Sequence, residues 1–598
     1  MQLDEALTTD SCAVFTSGSF DELRKVIDAE FPLRHDALRS PLTYGTAGFR
    51  TNGALLPPVA ARVSMIAALR SVYCQAKRAA EGQTAPCMIG IMVTASHNPY
   101  VDNGFKIIDV DGGMLAPSWE EWCTRAANAT SGSDLQAVMM DCVAHDPTAF
   151  RAEVFTRCVV HFSRDTRPSG EGIVNAGLTT LRVLQNTTAD SRLPISTPYM
   201  HYIVARANEV PAPLDAQASS YYDSLLAGFE EMLSFARGGE HAASREGATP
   251  QKLVVDCANG IGALAMAELA AAAKLRRDSD VFSTSFETAL VDCNTRDETF
   301  LNSQCGADFA KLHATPSAAM CAWPGTCASS ADAAGTHFYS LDGDADRLVA
   351  FVYDAARSPS WVLLDGDRIA ILYAMLLHKW LGEEQMRSLD VAVVQTAYAN
   401  GASTQFLEEQ LHMKVYTAAT GVKNLHPVAH ARDVGVYFEA NGHGTVLISE
   451  KVAARTAGTE PEKNAPLAAM RRVLSQCCGD AVADLLMCEV ALAALGMSFQ
   501  EWAALYVDRP CKQTKVTVAH PRRITNTPDE RRALSPAGMQ EQIDAAVTSA
   551  LSQCEAARAF VRPSGTEPVV RVYAEASDPH VCESLSAEVM AIVKNHCS

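Results

Sequence analysis

Three aspartates at alternate positions are the first candidates for chemistry. Asp342, Asp344 and Asp346 stand in Asp-Gly-Asp-Ala-Asp-Arg at 342–347, directly after the β-prone run THFYSL at 336–341. In a partly buried site, anions this close repel one another strongly unless a cation joins them. A loop loosened by Gly343 lets them converge on one hard cation, and oxygen-only ligands favour Mg2+ over zinc. An EF-hand does not fit: its sixth position would be Arg347 and its twelfth Tyr353. The plain alternative is an acidic surface turn.

Four further loops set small residues beside polar ones. Thr94-Ala95-Ser96-His97-Asn98-Pro99 follows the apolar run MIGIMV at 88–93. Pro99 disfavours helix at Asn98, which puts Ser96 on a constrained turn as a nucleophile or as a simple turn hydroxyl. A Ser-His-Asp triad fits poorly, because sequence neighbours such as Ser96 and His97 usually point apart and no G-x-S-x-G elbow surrounds them. In Tyr44-Gly45-Thr46-Ala47-Gly48-Phe49-Arg50, two glycines let the backbone approach an anion and Arg50 adds a cation; an ordinary turn reads the same way, and the Walker ending is missing. Glu439, Asn441 and His443 in EANGHG face one way if the loop is extended, as groups that read a polyhydroxylated sugar would; a Gly-rich strand–strand turn is the alternative. Arg562-Pro563-Ser564-Gly565-Thr566-Glu567, with Arg571 beyond, offers a phosphate cradle or an ordinary polar turn.

Together these are the parts for phosphoryl transfer on a sugar phosphate. Charge points the same way. Lys and Arg number 50 against 69 Asp and Glu, a formal −19, so the surface as a whole repels nucleic acid and anionic membranes. A phosphate site must gather local cations, and Arg50, Lys106, Arg347, Lys423, Arg562 and Arg571 could make one basic cleft.

Such loops need a scaffold that presents them at strand ends, where α/β proteins place ligands. Apolar runs at 88–94, 154–162, 253–256 and 348–352 read as strands, and Ala-rich amphipathic stretches at 58–76 and 261–275 as helices. This alternation predicts α/β layers rather than an all-α or all-β fold. A helical stretch is expected over 466–495, then a separate α+β unit with strands at 515–519 and 569–575 and a helix at 536–551. Residues 209–216 and 237–250 read as linkers, and 315–334 as a surface loop. At ~150 residues per domain, 598 residues suggest about four domains.

Composition removes other classes. With 48% apolar and 20% charged residues, extended disorder and collagen-like repeats are disfavoured. The 18 cysteines are scattered without a C-x-x-C pair, which argues against a disulfide scaffold and against zinc-site spacing. The apolar stretch 369–377 is nine residues, too short for a bilayer. Neither a secretory start nor a peroxisomal or prenylation ending is read, so the expectation is a soluble cytoplasmic protein. No nucleic-acid, membrane or obligate protein partner is expected.

The segments resemble the α-D-phosphohexomutases, which carry a phosphoserine loop, a D-x-D-x-D metal loop, a sugar-binding loop and a C-terminal phosphate loop in that order. The likeness is closest to the eukaryotic branch acting on N-acetylglucosamine phosphates. It rests on TASHNP followed by Asp102-Asn103-Gly104-Phe105-Lys106, on MLAPSWEEW at 114–122, on Asp165-Thr166-Arg167-Pro168-Ser169, on VDCANGIG at 255–262 and on EANGHG. It extends from about Tyr44 to Glu575. Gly/Ala/Ser-rich insertions at 237–250, 315–334 and 355–359, and Pro568 after the phosphate loop, depart from the family pattern.

The resemblance implies an α/β, four-domain phosphohexomutase architecture: three α/β mixed-sheet domains and a smaller C-terminal α+β domain. The boundaries expected are 1–212 for the phosphoserine loop, 213–362 for the metal loop, 363–508 for the sugar-binding loop and 509–598 for the phosphate-binding domain. It implies an isomerase that interconverts N-acetylglucosamine 6-phosphate and 1-phosphate through a phosphoserine and a bisphosphate, toward UDP-N-acetylglucosamine. Ser96 is then the phosphoserine, and Ser96, Asp342, Asp344 and Asp346 hold Mg2+. Lys106, Arg50, His97 and His443 are the catalytic candidates for proton transfer and electrostatic support. Thr420, Gly421, Lys423, Glu439, Asn441, Gly442 and His443 would meet the sugar; Arg562, Ser564, Gly565, Thr566 and Arg571 would take the phosphate that is not reacting. Asn441 stands where other branches carry serine, which makes it the candidate reader of the 2-acetamido group. The implied partners are the amino-sugar phosphate and its bisphosphate. Competing readings are a preference for glucose or mannose phosphates, a sugar-phosphate binder without catalysis, and a metal-dependent phosphatase.

Overall fold

The run MIGIMV forms the strand Met88–Val93 with all six residues buried, as expected of a strand covered on both faces. The computed structural model that contains it describes residues 17–33, 41–45, 48–150, 157–184, 187–191, 194–209, 214–238, 250–276, 281–455, 461–564 and 568–597. Two units divide the chain. The first comprises Met1–Glu230, His241–Trp361 and Cys477–Leu485; the second comprises Glu231–Glu240, Val362–Gln476 and Leu486–Ser598.

The first unit holds two mixed sheets. One runs in the spatial order Phe49–Asn52, Asp102–Ile108, Met88–Val93, Cys158–Arg164 and Thr187–Ser191. Its first two neighbour pairs are antiparallel and its last two parallel. Helices Pro57–Ala80 and Ser169–Leu181 pack on it and on each other; proline in the first turn of Pro57–Ala80 is pre-set for a helix start. In the other sheet, Gln251–Asp256 lies parallel to Phe286–Val291 and to His337–Leu341, and His337–Leu341 turns back antiparallel into Leu348–Tyr353. Loops 94–99, 257–261 and 342–347 all leave strand ends of these sheets.

In the second unit, Lys414–Ala418, Val391–Thr396 and Val434–Phe438 are parallel, and Gly444–Ile448 closes an antiparallel hairpin on the last of them. Helix Gly366–Ser388 starts at Asp365, whose side chain accepts from the Asp367 and Arg368 N–H groups. The C-terminal sheet places Val569–Ala576 between Cys511–Thr517 and Ala557–Pro563, all antiparallel. Helices Met539–Leu551 and Pro579–Cys597 pack on it, and a short ribbon pairs Thr525–Asn526 with Ala533–Ser535.

The fold class is the one expected, with local departures. Residues 315–334, read as a loop, contain helices Ala318–Ala322 and Ser330–Ala334; Ser317 and Ser329 cap them by accepting from Met320 N–H and Asp332 N–H. The stretch 466–495 is two helices, Pro461–Val473 and Ala481–Leu495, and Asp480 caps the second through Ala483 N–H. Strand Ala557–Pro563 falls outside the sequence reading; it is an edge strand of its sheet and ends at a proline. The strand expected over 154–162 is Cys158–Arg164, with 154–156 outside the described residues. Helices ending at Glu209 and starting at Leu214 take both sides of the linker expected over 209–216. Of the other expected linker, 239–249 lie outside the described residues. Among the described residues the cysteines are free thiols, and no helix is long and apolar enough to cross a membrane.

Candidate active site

Ser96 adopts a left-handed conformation, φ 50°, one residue past Ala95 on the turn that follows Met88–Val93. A non-glycine residue keeps that conformation only where its surroundings over-determine it, and here they do. Thr94 Oγ1 accepts from Ser96 N–H at 2.9 Å and donates to Asp165 Oδ2 at 2.8 Å. The carbonyls of Ser96 and Asn98 each accept from Arg167 Nη2, at 2.9 and 2.7 Å, and from Asn302 Nδ2, at 2.8 and 3.0 Å. Arg167 is fully buried and paired with Asp165. So held, Ser96 Oγ donates to Asp342 Oδ2 at 2.7 Å.

The left-handed turn corrects one expectation. His97 does not point away from Ser96: its Nδ1 lies 3.5 Å from Ser96 Oγ, because the turn rotates the two side chains onto one side. Burial, and then Arg347, lower the imidazole to about 4.

The three aspartates occupy the hairpin between His337–Leu341 and Leu348–Tyr353, closed by the Leu341–Leu348 pair. All are buried, and one oxygen of each lies within 4.8 Å of those of the other two. Asp342 Oδ1 accepts from the N–H groups of Asp346 and Arg347 at 3.0 and 3.2 Å, which folds the loop inward. Asp344 Oδ2 accepts from Thr197 Oγ1 at 2.7 Å. Among the described residues, Asp344 Oδ1 is buried with no hydrogen-bond donor. Burial, with Asp344 and Asp346 adding to it, drives the Asp342 carboxyl well above the usual range. A compact, all-oxygen anionic cluster with an orphaned carboxylate oxygen suits a hard divalent cation. Arg347 offsets only part of the charge: its Nε is 3.7 Å from both Asp342 and Asp346, and its Nη1 donates to Asp308.

Register brings the two cations of the first sheet to the same region. Arg50 pairs across from Gly104, and Lys106 is two residues on, so both side chains leave the same face. Lys106 Nζ is 3.8 Å from Asp346 Oδ2, and Arg50 Nη1 donates to Asn98 Oδ1 at 2.9 Å. Burial, then Arg347, lower the Arg50 guanidinium below its ordinary value. Ser96, His97, Arg50, Lys106 and the three aspartates are thus assembled. Arg167, Asn302, Thr94 and Thr197 join them without having been singled out by role. Arg167 stands in a motif that the family likeness already marked; Asn302 carried no signal beyond its polar type.

The second unit assembles the sugar and phosphate candidates. Glu439 accepts from Gly421 N–H at 3.0 Å, and Gly421, φ 108°, starts helix Val422–His430, which carries Lys423 in its first turn. The 439–443 loop is not extended. Glu439 N–H donates to His443 O and Gly442 N–H to Glu439 O, both at 2.9 Å, so it is a tight turn with Gly442 at φ 87°. Asn441 Oδ1 accepts from His443 N–H at 3.1 Å, and His443 is buried. Arg562 and Arg571 face each other across the C-terminal strands, and Ser564 is buried beyond them. Glu530, which the sequence reading did not single out, accepts from Thr420 and from Arg562. Gly565 and Thr566 lie outside the described residues.

A strand-end serine donating to a buried three-aspartate hairpin, on mixed α/β sheets, is an arrangement suited to metal-assisted phosphoryl transfer. Family models agree: residues 365–497 match phosphoacetylglucosamine mutase domain III, 541–592 the phosphoglucomutase/phosphomannomutase C-terminal domain, and 68–132 its α/β/α domain I. The human phosphoacetylglucosamine mutase is 40% identical over 559 residues, 92% of this chain and 94% of its own. A crystal structure of an N-acetylglucosamine-phosphate mutase in its substrate complex superposes with a TM-score of 0.81 at 32% identity, covering 96% of this chain and 100% of that one. The Aspergillus fumigatus enzyme in complex with GlcNAc-6P and magnesium gives 0.81 at 33% identity, covering 98% and 100%. The chain belongs to the phosphoacetylglucosamine mutase family.

Proposed function

We propose that this protein interconverts N-acetylglucosamine 6-phosphate and N-acetylglucosamine 1-phosphate, by way of a phosphoserine at Ser96 and a bisphosphorylated sugar, in the supply of UDP-N-acetylglucosamine. The observation that carries the reading is the 2.7 Å contact from Ser96 Oγ to Asp342, within a buried carboxylate cluster whose Asp344 Oδ1 finds no donor among the described residues. Asp342, Asp344 and Asp346, with an oxygen on Ser96, would hold Mg2+, whose charge offsets that which builds on the phosphoryl oxygens during transfer.

The phosphorus–oxygen bond to Ser96 breaks as a sugar hydroxyl oxygen bonds to phosphorus, and the hydroxyl proton leaves to a base. Lys106, His97 and His443 are the candidate acceptors. In the return step the sugar's other phosphoryl group passes to Ser96 Oγ. Arg167 and Asn302 keep the serine loop still, so one oxygen can serve both directions. Glu439 and Asn441 would grip hydroxyl and acetamido groups, and Arg562, Ser564, Gly565, Thr566 and Arg571 the distal phosphate. The partners are these small molecules, and the free thiols suit a reducing, cytoplasmic setting.

A coupled assay on N-acetylglucosamine 6-phosphate, with and without a catalytic amount of bisphosphate, tests the reading alongside intact-mass detection of one phosphate on the purified chain. Turnover should require the primer or the phosphorylated form. Equal turnover of an unphosphorylated chain without primer refutes the phosphoserine route, and release of inorganic phosphate as the main product refutes the mutase.

A further inference from the structure

Within the second unit one carboxylate gathers three donors. Glu530 Oε2 accepts from Thr420 N–H at 3.0 Å and from Thr420 Oγ1 at 2.6 Å, and Glu530 Oε1 accepts from Arg562 Nε at 2.8 Å. A main-chain N–H, a hydroxyl and a guanidinium converging on one anionic group form the donor set that a phosphate takes.

Two further features mark this carboxylate. Arg562 stands directly opposite Arg571 in the antiparallel pair, where like charges repel unless an anion lies by them. Glu530 supplies that anion from a turn, not from the sheet: it sits in the loop of the Thr525–Asn526 and Ala533–Ser535 ribbon. Its φ of 59° is left-handed, and the turn is closed by Glu530 N–H to Thr527 O at 2.9 Å and Thr527 N–H to Arg532 O at 2.9 Å.

We propose that Glu530 is the resident anion of the phosphate cradle, holding Thr420 and Arg562 when no phosphate is there and giving them up to the non-reacting phosphate of the sugar. Both Thr420 donors are engaged by one oxygen, so that oxygen and a phosphate cannot hold them together. The exchange has a use in a reaction whose bisphosphate must let go of the cradle and turn over. Donors re-satisfied by an internal carboxylate lower the cost of release, at the expense of affinity. Glu530 thereby sets how tightly the distal phosphate is held. This rests on the reading of Arg562 as a phosphate ligand given above, and it moves Thr420 from the expected sugar contacts to the phosphate donors.

Titration calorimetry of N-acetylglucosamine 6-phosphate into the full chain, on a Ser96→Ala background that stops turnover, tests it. Glu530→Gln, which removes the charge and keeps the shape, should bind about threefold to tenfold tighter, the scale of one charge-assisted contact no longer competing. Glu530→Ala should move the same way, and serves if the glutamine variant melts early. In the active chain, Glu530→Gln should lower KM and kcat together. Arg562→Ala should bind at least about tenfold more weakly. Unchanged or weaker binding in the Glu530 variants, with Arg562→Ala weakened, overturns the proposal and leaves Glu530 a positioning residue. Undiminished binding by Arg562→Ala instead overturns the cradle itself.

Discussion

Replacing Gly343 by alanine should leave a folded protein that has lost most of its turnover. A Cβ at this position would lie 2.6 Å from the Ser96 carbonyl oxygen and 2.7 Å from Asn302 Nδ2, where ordinary contact begins at 3.4 Å. Neither neighbour is the loose end of a flexible chain. The carbonyl is backbone, held by Arg167 as well, and the Asn302 amide is one half of the same clamp. Relief therefore needs about 0.8 Å of relative movement between the aspartate hairpin and the serine turn. A displacement near 1 Å at reacting groups costs about a hundredfold in rate, or about 2.7 kcal/mol of barrier. Overpacking by one methyl costs about 1–3 kcal/mol of stability, which is roughly 2–4 °C in Tm per kcal/mol for a domain of 150–250 residues. The measurements are kcat in the coupled assay and Tm by thermal melt. Gly325→Ala is the control, since among the described residues nothing beyond its chain neighbours and its own helix lies within 4 Å of its added Cβ, and it should match wild type in both. A Gly343→Ala protein within twofold of wild-type kcat would refute the claim that the close approach of hairpin to serine sets the geometry.

Ser96→Ala should abolish mutase turnover with little change in Tm, because its backbone N–H and carbonyl contacts survive the substitution; a well-folded variant that still turns over ends the phosphoserine mechanism. Asp344→Ala should need about tenfold more Mg2+ or beyond for half-maximal activity, since loss of even an outer-shell partner costs that much. EDTA should silence wild type and added Mg2+ restore it, whereas activity indifferent to EDTA removes the metal from the account. Asn441→Ser should shift the ratio of kcat/KM for N-acetylglucosamine 6-phosphate over glucose 6-phosphate by about threefold to tenfold toward glucose, the worth of one neutral hydrogen bond. An unchanged ratio would leave Asn441 with only its contact to His443 N–H.

What the sequence made legible were groups whose chemistry is written in adjacent letters. Asp342, Asp344 and Asp346 lie within five residues, and their chemistry needed no distant partner to be read. The clamp on the serine was not legible, because Asn302 lies 206 residues from Ser96 along the chain and nothing local announces the contact. Glu530 escaped for the same reason: it is 110 residues from Thr420 and 32 from Arg562. The Ser96–His97 relation was misjudged for a different cause. Neighbours point apart in extended backbone, and the left-handed φ at Ser96, imposed by tertiary contacts, breaks that rule. The turn at 439–443 shows the converse, since Gly442 stood in plain view and a glycine at positive φ is what a tight hairpin demands. In the scaffold, buried strands such as Met88–Val93 were easy, and the two short capped helices inside 315–334 were hidden by their small-residue composition.

The thiols give the molecule a built-in chemical clock. Cys293 and Cys511 are exposed, while Cys74, Cys142 and Cys158 are buried, with burial pushing each of these three up to about 12. Only the thiolate attacks an alkylating reagent, so at neutral pH the outer sulfurs should take a mass tag within the time that the inner ones stay silent. An inner sulfur gains its tag when the layer around it opens. Counting tags by mass therefore times that opening in each variant described above, with no dye, no engineered probe and no catalytic readout.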